Sequence, residues 1–419
     1  MSSEFEQNLE KYAEVIIKVA LNLQSGQKLC IFSPFTFGVS IELAPLIRLI
    51  TKKAYQIGAR FVEVMWYDEK VHLTRFQHAP LDTFTEFPKW KFDFMYNHVK
   101  GGNPVLLIIA HNPDLLIGQD LEKLKLSQQT YFKGTEQIVK LNKDHPVNST
   151  YIACAIDGWA NKVFPNLPLD KRKEKLWDMI FEMCRVKSED PILAWQDHIN
   201  RLKERSDYLT KKHYIALKYS APGTNLTIGL PKDHIWRSGA MTTKSGIEHP
   251  VNVPTEEVFT TPHYKKTEGF VTSTKPLNYA GSLIEDLKFE FSEGKIVKAT
   301  AKRGEEDLQN LISIDEGASY LGEVALVPHS SPISKLGILF FNTLIDENAS
   351  CHIAFGRGIR FSIKNGQKMS DEEFTAAGGN ISKVHIDFMI GSGEIDIDGV
   401  LDDGTVEPVM INGEWVFEV

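Results

Sequence analysis

At 419 residues the chain is longer than one hydrophobic core ordinarily serves, so two domains are expected. Its 42% hydrophobic and 24% charged content is that of a globular chain, and a formal charge of −8 with no basic block argues against a nucleic-acid or anionic-membrane binder. Four widely spaced cysteines (Cys30, Cys154, Cys184, Cys351) with no CxxC pair point to buried thiols in a reducing compartment. Glu4, Glu6, Glu10 and Lys11 stand where a signal peptide needs an apolar run, and the apolar stretch 104–110 is too short for a bilayer, so a cytoplasmic location is expected.

Phe5, Leu9, Tyr12, Ile16, Val19 and Leu23 recur at helical spacing and predict an opening helix that ends near Gly26. A short apolar strand, 29–32, follows; then 40–57 predicts a helix with Ser40 as N-cap and Gly58 as its stop. Residues 61–66, 105–110 and 151–156 are further expected strands, separated by helical stretches. The 105–110 run is apolar without alternation, as in a parallel strand covered on both faces, which predicts a doubly wound α/β layer. Asp190-Pro191 has the form of an N-cap followed by proline at the first helical position, and Ile192, Trp195, Ile199 and Leu202 predict the apolar stripe of a helix that bridges two domains. Beyond Lys211 short strands with Gly, Asn and Pro turns take over. Examples are 225–230, and 287–291 with the turn Glu293-Gly294; they predict antiparallel or mixed β structure with one more helix near 305–313. The expected chain is therefore α/β, with an N-terminal doubly wound α/β domain over residues 1–190 and a β-rich α+β domain over residues 191–419.

Metal-ligand side chains gather in that second part. In Val384-His385-Ile386-Asp387-Phe388 the apolar residues alternate with His385 and Asp387. That is the period of a half-buried strand, which puts imidazole and carboxylate on one face roughly 6.6 Å apart at the backbone. Upstream lie His352, Glu323 and the pair Glu256-Glu257, each with apolar neighbours. A buried charge needs a partner. For any one of these residues an ion pair or a backbone hydrogen bond would serve, whereas several oxygen and nitrogen donors in four segments suit divalent ions. Read from the residues alone, both possibilities stand.

Four segments in order resemble signatures of the aminopeptidase T/aminopeptidase S family of metallopeptidases. They are 252–263 around Glu256-Glu257, 322–327 with Glu323, 342–352 ending in His352, and His385-Ile386-Asp387-Phe388-Met389-Ile390-Gly391. Trp159-Ala160, Phe164-Pro165, Leu176-Trp177, and Asp190-Pro191 before Trp195 extend the resemblance over nearly the whole chain. It implies a two-metal exopeptidase of broad specificity that releases N-terminal amino acids from peptides. It also implies two divalent ions (zinc, cobalt, manganese or magnesium) in a catalytic C-terminal domain, and a homodimer whose active sites face an enclosed cavity. By position the metal ligands would be Glu257, Glu323, His352, His385 and Asp387; intervals of 66, 29 and 33 residues favour Glu257 over Glu256. Glu256, beside a ligand, is the candidate general base, by analogy with unrelated two-metal aminopeptidases. Asp346, Glu347 and His263 are candidates for orienting the ligands, with turn capping as the plainer role for Asp346.

One position departs from the family pattern. Ile359 stands where a tyrosine is common, which removes a hydroxyl able to donate to an oxyanion and leaves Arg357 or Arg360 as replacements. Two other readings follow from the same residues: a mononuclear iron ring-cleaving dioxygenase built on His352, His385 and Asp387, and a non-catalytic metal-binding relative.

Overall fold

The structure, a computed structural model, describes residues 3–34, 36–279 and 282–419, with the side chains of Lys143 and Asp144 left out. The chain divides into two compact units, Met1–Asp197 with Ala240–Pro254, and His198–Gly239 with Thr255–Val419.

The first unit is built on a parallel sheet. Its strands are β1 (Lys28–Phe32), β2 (Phe61–Val64), β3 (Val105–Ile109), β4 (Ser149–Ala153) and a short fifth strand, Asn252–Val253. They lie in the order fifth, β4, β3, β1, β2, and every neighbouring pair is parallel. Chain direction across the sheet reverses at β1, so the layer is doubly wound. β3 is buried along its whole length, as its unbroken apolar run requires.

Helix α1 (Ser3–Val15) continues as a π-helical turn, Ile16–Ala20, before Gly26 (φ +85°) turns the chain into β1. Ser40 accepts the N–H of Glu42 at 3.3 Å and opens a single 3-10 turn ahead of α2 (Ala44–Gln56), where Pro45 sits in the first turn. The strand expected at 61–66 splits in two: Trp66–Tyr67 leaves β2 and pairs with Val39–Ser40. The strand expected at 151–156 ends at Ala153, because the chain turns there toward a helix over Asp157–Val163. The segment 240–254 lies with the first unit, whereas the sequence pattern places it in the second domain. Tyr151 donates its N–H to Val251 at 2.8 Å, and Asn252 and Val253 pair with Tyr151 and Ile152.

The division between the units falls within helix α3 (Pro191–Lys212), between Asp197 and His198. Asp190 caps this helix, its Oδ1 accepting the N–H groups of Ile192 and Leu193 at 3.0 and 3.1 Å. The second unit then holds an eight-stranded sheet that includes the hairpin Lys288–Ser292/Lys295–Thr300. Glu293 and Gly294 turn this hairpin with left-handed φ of 49° and 83°. A smaller antiparallel sheet carries β5 (Val258–Thr260), β6 (Leu321–Leu326), β7 (His352–Gly356) and β8 (His385–Met389), in the order β8-β7-β6-β5, with Arg237–Ser238 at the far edge.

Val324, Ile353, Phe355, Ile386 and Phe388 from this sheet share one buried core with Leu217, Tyr219, Leu226, Ile228 and Phe289 of the larger one. Phe289 and Phe388 meet with ring centroids 4.7 Å apart. All four cysteines are buried and free. Among the described residues no helix is long and apolar enough to cross a membrane.

Candidate metal centre

The residues that alternate with that core face the other way. Register pairs Glu323 with Ala354 and Ala354 with Asp387. His352 is two residues from Ala354, and His385 two from Asp387. The period of a strand therefore sets Glu323, His352, His385 and Asp387 on the face opposite Val324, Ile353, Ile386 and Phe388. Glu257 immediately precedes β5. The β6/β7 ladder shifts register between Leu321 and Glu323. Gly322 lies in that shift, and a Cβ there would stand 2.4 Å from the carbonyl oxygen of Arg357 and 2.5 Å from that of Gly356. Only glycine permits this approach, and the irregularity re-aims Glu323 toward the ligand face.

Two overlapping donor groups result. Glu257, Glu323 and His352 each offer an atom within 4.8 Å of the others, and so do Glu323, His385 and Asp387. Glu323 belongs to both. Nε2 of His352 is 3.1 Å from Glu257 Oε2; Nε2 of His385 is 2.9 Å from Glu323 Oε2 and 3.6 Å from Asp387 Oδ1.

The other nitrogen of each ring is committed to the backbone: Nδ1 of His352 lies 3.1 Å from the Ser350 carbonyl, and Nδ1 of His385 lies 2.7 Å from that of Arg357. A carbonyl only accepts, so Nδ1 carries the hydrogen and the neutral ring turns the Nε2 lone pair toward the carboxylates. Lone pairs facing lone pairs need a cation between them. Without a metal ion a proton fills that role; with one, the donor set of carboxylate oxygens and imidazole nitrogens fits divalent cations.

The electrostatics agree. Burial opposes charge on His352, yet its hydrogen bond to Glu257 and the charges of Glu257, Asp387 and Glu323 lift its pKa to about 10. His385 is driven well above the usual imidazole range against the same penalty, chiefly by Asp387 and Glu323. Burial, helped by the charges of Asp387 and Glu257, raises Glu323, whereas for Asp387 the attraction of His385 outweighs burial and lowers the pKa.

The remaining expected residues fall in different places. Glu256 enters neither group; its carboxylate lies 3.6 Å from Nε2 of His198, a buried residue of α3 that also reaches the Thr255 carbonyl at 2.8 Å. Asp346 is a turn cap, accepting the N–H groups of Phe340 and Asn342 at 2.8 and 2.9 Å. His263 accepts the Lys265 N–H at 3.3 Å and is in neither group. Half-buried Glu347 is also in neither group, but burial and then the charges of Asp387 and Glu257 raise its carboxyl well above the ordinary range.

Ile359 is clasped at its backbone by Thr261, whose Oγ1 accepts its N–H at 2.8 Å and donates to its carbonyl at 2.9 Å. Arg360 is committed elsewhere, donating to the carbonyls of Gly366 and Met369, pairing with Asp371 and covering Phe374. Sequence reasoning missed Asn348, which is fully buried and holds the ligand segment. Its Oδ1 accepts the Glu256 N–H at 2.7 Å and its Nδ2 donates to Leu344 at 3.0 Å. No sequence signal marks Asn348, but a glycine just before Glu323 inside a strand does mark the irregularity.

Known proteins resemble both the fold and the whole chain. Aminopeptidase AmpS of Bacillus subtilis (strain 168) is 41% identical over 413 residues, 99% of each chain. The structure of wild-type AmpT from Thermus thermophilus superimposes with a TM-score of 0.92 at 39% identity, covering 99% of this chain and 100% of that one. A 2,5-dihydroxypyridine dioxygenase from Pseudomonas putida KT2440 shares the fold at a TM-score of 0.51 and 12% identity, covering 100% and 99% of the two chains. The family description "Thermophilic metalloprotease (M29)" matches residues 5–415. With a match of that extent, and carboxylates and imidazoles converging on one sheet face, the chain belongs to the thermophilic metalloprotease (M29) family.

Proposed function

We propose that this protein is a metal-dependent aminopeptidase that releases N-terminal residues from peptides with broad specificity. In this reading Glu257, Glu323, His352, His385 and Asp387 hold two divalent ions. The observation that carries it is the membership of Glu323 in both donor groups, as a carboxylate shared between two cations would require. Glu347 is proposed as a further donor, because its carboxyl feels the charges of Asp387, Glu257 and Glu323. An imidazole in each group favours zinc or cobalt over manganese or magnesium.

When bound, such ions supply Lewis-acid polarisation of a carbonyl and acidify water. The chain's own part is to hold and orient. Hydrogen bonds from Nδ1 to the Ser350 and Arg357 carbonyls fix both rings and reserve Nε2 as donor. A site carboxylate meeting the free α-amine of the substrate would restrict cleavage to N-termini. Glu256 is proposed as the proton carrier on its adjacency to Glu257, with Nε2 of His198, 3.6 Å from its carboxylate, as its neighbour. A homodimer with active sites facing an enclosed cavity belongs to the same proposal, on the family resemblance. So does a cytoplasmic location, supported by four buried free thiols.

The iron dioxygenase reading needs His352, His385 and Asp387 on one ion. The donor groups instead separate the two histidines, giving each one imidazole and two carboxylates. Aminoacyl-aminomethylcoumarin hydrolysis by metal-stripped protein, with Zn²⁺, Co²⁺, Mn²⁺, Mg²⁺ or Fe²⁺ added back, tests the proposal. Turnover that metal restores and Glu323→Ala abolishes is the expected result. Silence with every ion, in folded protein that still binds metal, overturns the peptidase reading and makes oxygen uptake on dihydroxypyridines the next assay.

A further inference from the structure

β8 carries His385 and Asp387, yet it is the edge strand of the smaller sheet, with β7 alone beside it. An edge strand has ladder bonds on one side only, so it opens more readily than its neighbours unless its ends are fixed. Thr274 fixes the far end, donating its N–H to Met389 and its Oγ1 hydrogen to the Gly391 carbonyl, each at 2.8 Å. At the near end Arg357 donates its N–H to Val384 at 2.7 Å. The second anchor there is half-buried Asp315, which lies 68 residues before Lys383 in the chain.

Asp315 uses both carboxylate oxygens. Its Oδ1 accepts the Ala318 N–H at 2.9 Å and the Ser382 hydroxyl at 2.7 Å, and its Oδ2 accepts the Lys383 N–H at 2.7 Å. Ser382 Oγ in turn accepts the Val384 N–H at 3.2 Å, so the bonds that start at Asp315 reach the residue next to His385. Asn380 reinforces the junction by donating to the Gly317 and Gly356 carbonyls at 2.8 and 2.6 Å. Gly317 packs so closely that a Cβ there would stand 1.9 Å from the Ile381 carbonyl oxygen.

An aspartate ahead of a 3-10 turn is ordinarily a cap, and the bond to Ala318, within the turn Glu316–Ser319, is of that kind. Capping does not account for the bonds to Ser382 and Lys383, which leave the turn and cross to another strand. Burial opposes the charge of Asp315, but the donors of Lys383, Ser382 and Ala318 outweigh it and hold the carboxyl below its ordinary range. Past the turn the same stretch of chain enters β6 and Glu323, and β7 lies between β6 and β8. One carboxylate thus ties the entry of β6 to the entry of β8, the two strands whose Glu323 Oε2 and His385 Nε2 stand 2.9 Å apart.

We propose that Asp315 is a positioning residue that fixes the entry of β8, and with it His385, for the ion that Glu323, His385 and Asp387 would hold. The inference rests on the two-ion reading given above. The test compares the full-length protein with its Asp315→Ser and Asp315→Ala variants. Serine caps a turn about as well as aspartate but is too short to bridge to Lys383, so it separates the cap from the tie.

Zinc titration of metal-stripped protein is expected to show one of two ions weakened about ten- to hundredfold in both variants, with the other held as in the wild type. Amide hydrogen exchange gives a readout that needs no metal. In stripped Asp315→Ser the amides of 383–387 are expected to exchange about tenfold faster or more, while those of 258–260 in β5 keep their wild-type rates. Wild-type exchange at 383–387 overturns the inference whatever the titration shows. Equal weakening of both ions overturns it too, as does faster exchange with unaltered zinc affinity; each leaves the two-ion reading intact. A wild-type protein that takes up fewer than two zinc ions sinks that reading instead, and the exchange rates then decide alone whether Asp315 places His385.

Discussion

Glu323 and Asp387 stand in one row across three strands, with Ala354 between them. The methyl group of Ala354 is fully buried at the point where the two carboxylates must approach each other. Ala354→Leu adds three carbons there. It is expected to weaken metal binding tenfold or more while costing about 1–3 kcal/mol of stability through overpacking. Calorimetry with Zn²⁺ and a thermal melt separate the two effects; undiminished affinity in a folded variant would show that the row does not face the ions.

Removing different donors should change metal content by different amounts. Glu323→Ala is expected to leave the purified protein with almost no tightly held metal, since both groups depend on it. Asp387→Ala should spare the ion held by Glu257, Glu323 and His352. Elemental analysis after extensive dialysis checks this, and equal loss in the two variants would argue against a shared Glu323.

The metal-free protein should show a pH dependence that the loaded protein lacks. The folded pKa of His352, about 10, lies above the ordinary 6.5. Its contribution to stability is therefore complete below about pH 6.5 and is lost as pH rises through about 10. Thermal midpoints of stripped protein should fall across that window, and those of metal-loaded protein should not follow. Because metal and proton compete for Nε2, zinc uptake should release protons at neutral pH and weaken on acidification. Titration in two buffers of different ionisation enthalpy measures that release.

Gly322→Ala would place a methyl group against the Arg357 carbonyl at 2.4 Å. Backbone must move on one side or the other, so a loss of about 1–3 kcal/mol is expected, with weaker metal binding because the displaced carbonyl is the one that orients His385. Denaturant unfolding and zinc titration of the same sample check both; a native-like variant would mean that β6 and β7 can separate at no cost to the site.

Asn348→Ala leaves the buried N–H of Glu256 without its acceptor, at a cost of about 1–3 kcal/mol. The shifted segment carries Glu257, so zinc affinity should fall about ten- to hundredfold even though Asn348 itself donates nothing to the centre. Asn348→Asp, which keeps an acceptor, should recover much of the loss. Equal behaviour of the two variants would point to simple loss of packing.

Much of this arrangement is legible in the amino-acid sequence. The alternation around His385 and Asp387 sets their common face, and the unbroken apolar run of β3 identifies a strand covered on both sides, because both signals are local and periodic. Spacing alone ranks Glu257 ahead of Glu256, whereas the different partners of the two carboxylates, His352 for Glu257 and His198 for Glu256, emerge only in the folded chain. What the sequence hides depends on contacts between segments distant along the chain. The return of Asn252–Val253 to the first unit's sheet rests on pairing with Tyr151, about a hundred residues earlier, and two residues carry too little pattern to announce a strand. Asn348 has the same character: its role exists only once Glu256 is folded against it. Glu347 is recognisable as an acid near a ligand, but its burial beside three other carboxylates is a property of the assembled site.

The alternation of ligand-face and core residues in β7 and β8, and in β6 beyond its irregularity at Gly322, also limits how such a chain can be lengthened or shortened. Inserting a single residue inside β7 or β8 without a compensating bulge like that at Gly322 would invert the remainder, sending phenylalanine and isoleucine to the ligand face and carboxylates into the oil. Loops between the strands can grow by any number, since parity is restored when the next strand begins. Length variation that keeps the site should therefore collect in the connections, and deletion scanning across β7 should alternate between tolerated even steps and ruinous odd ones.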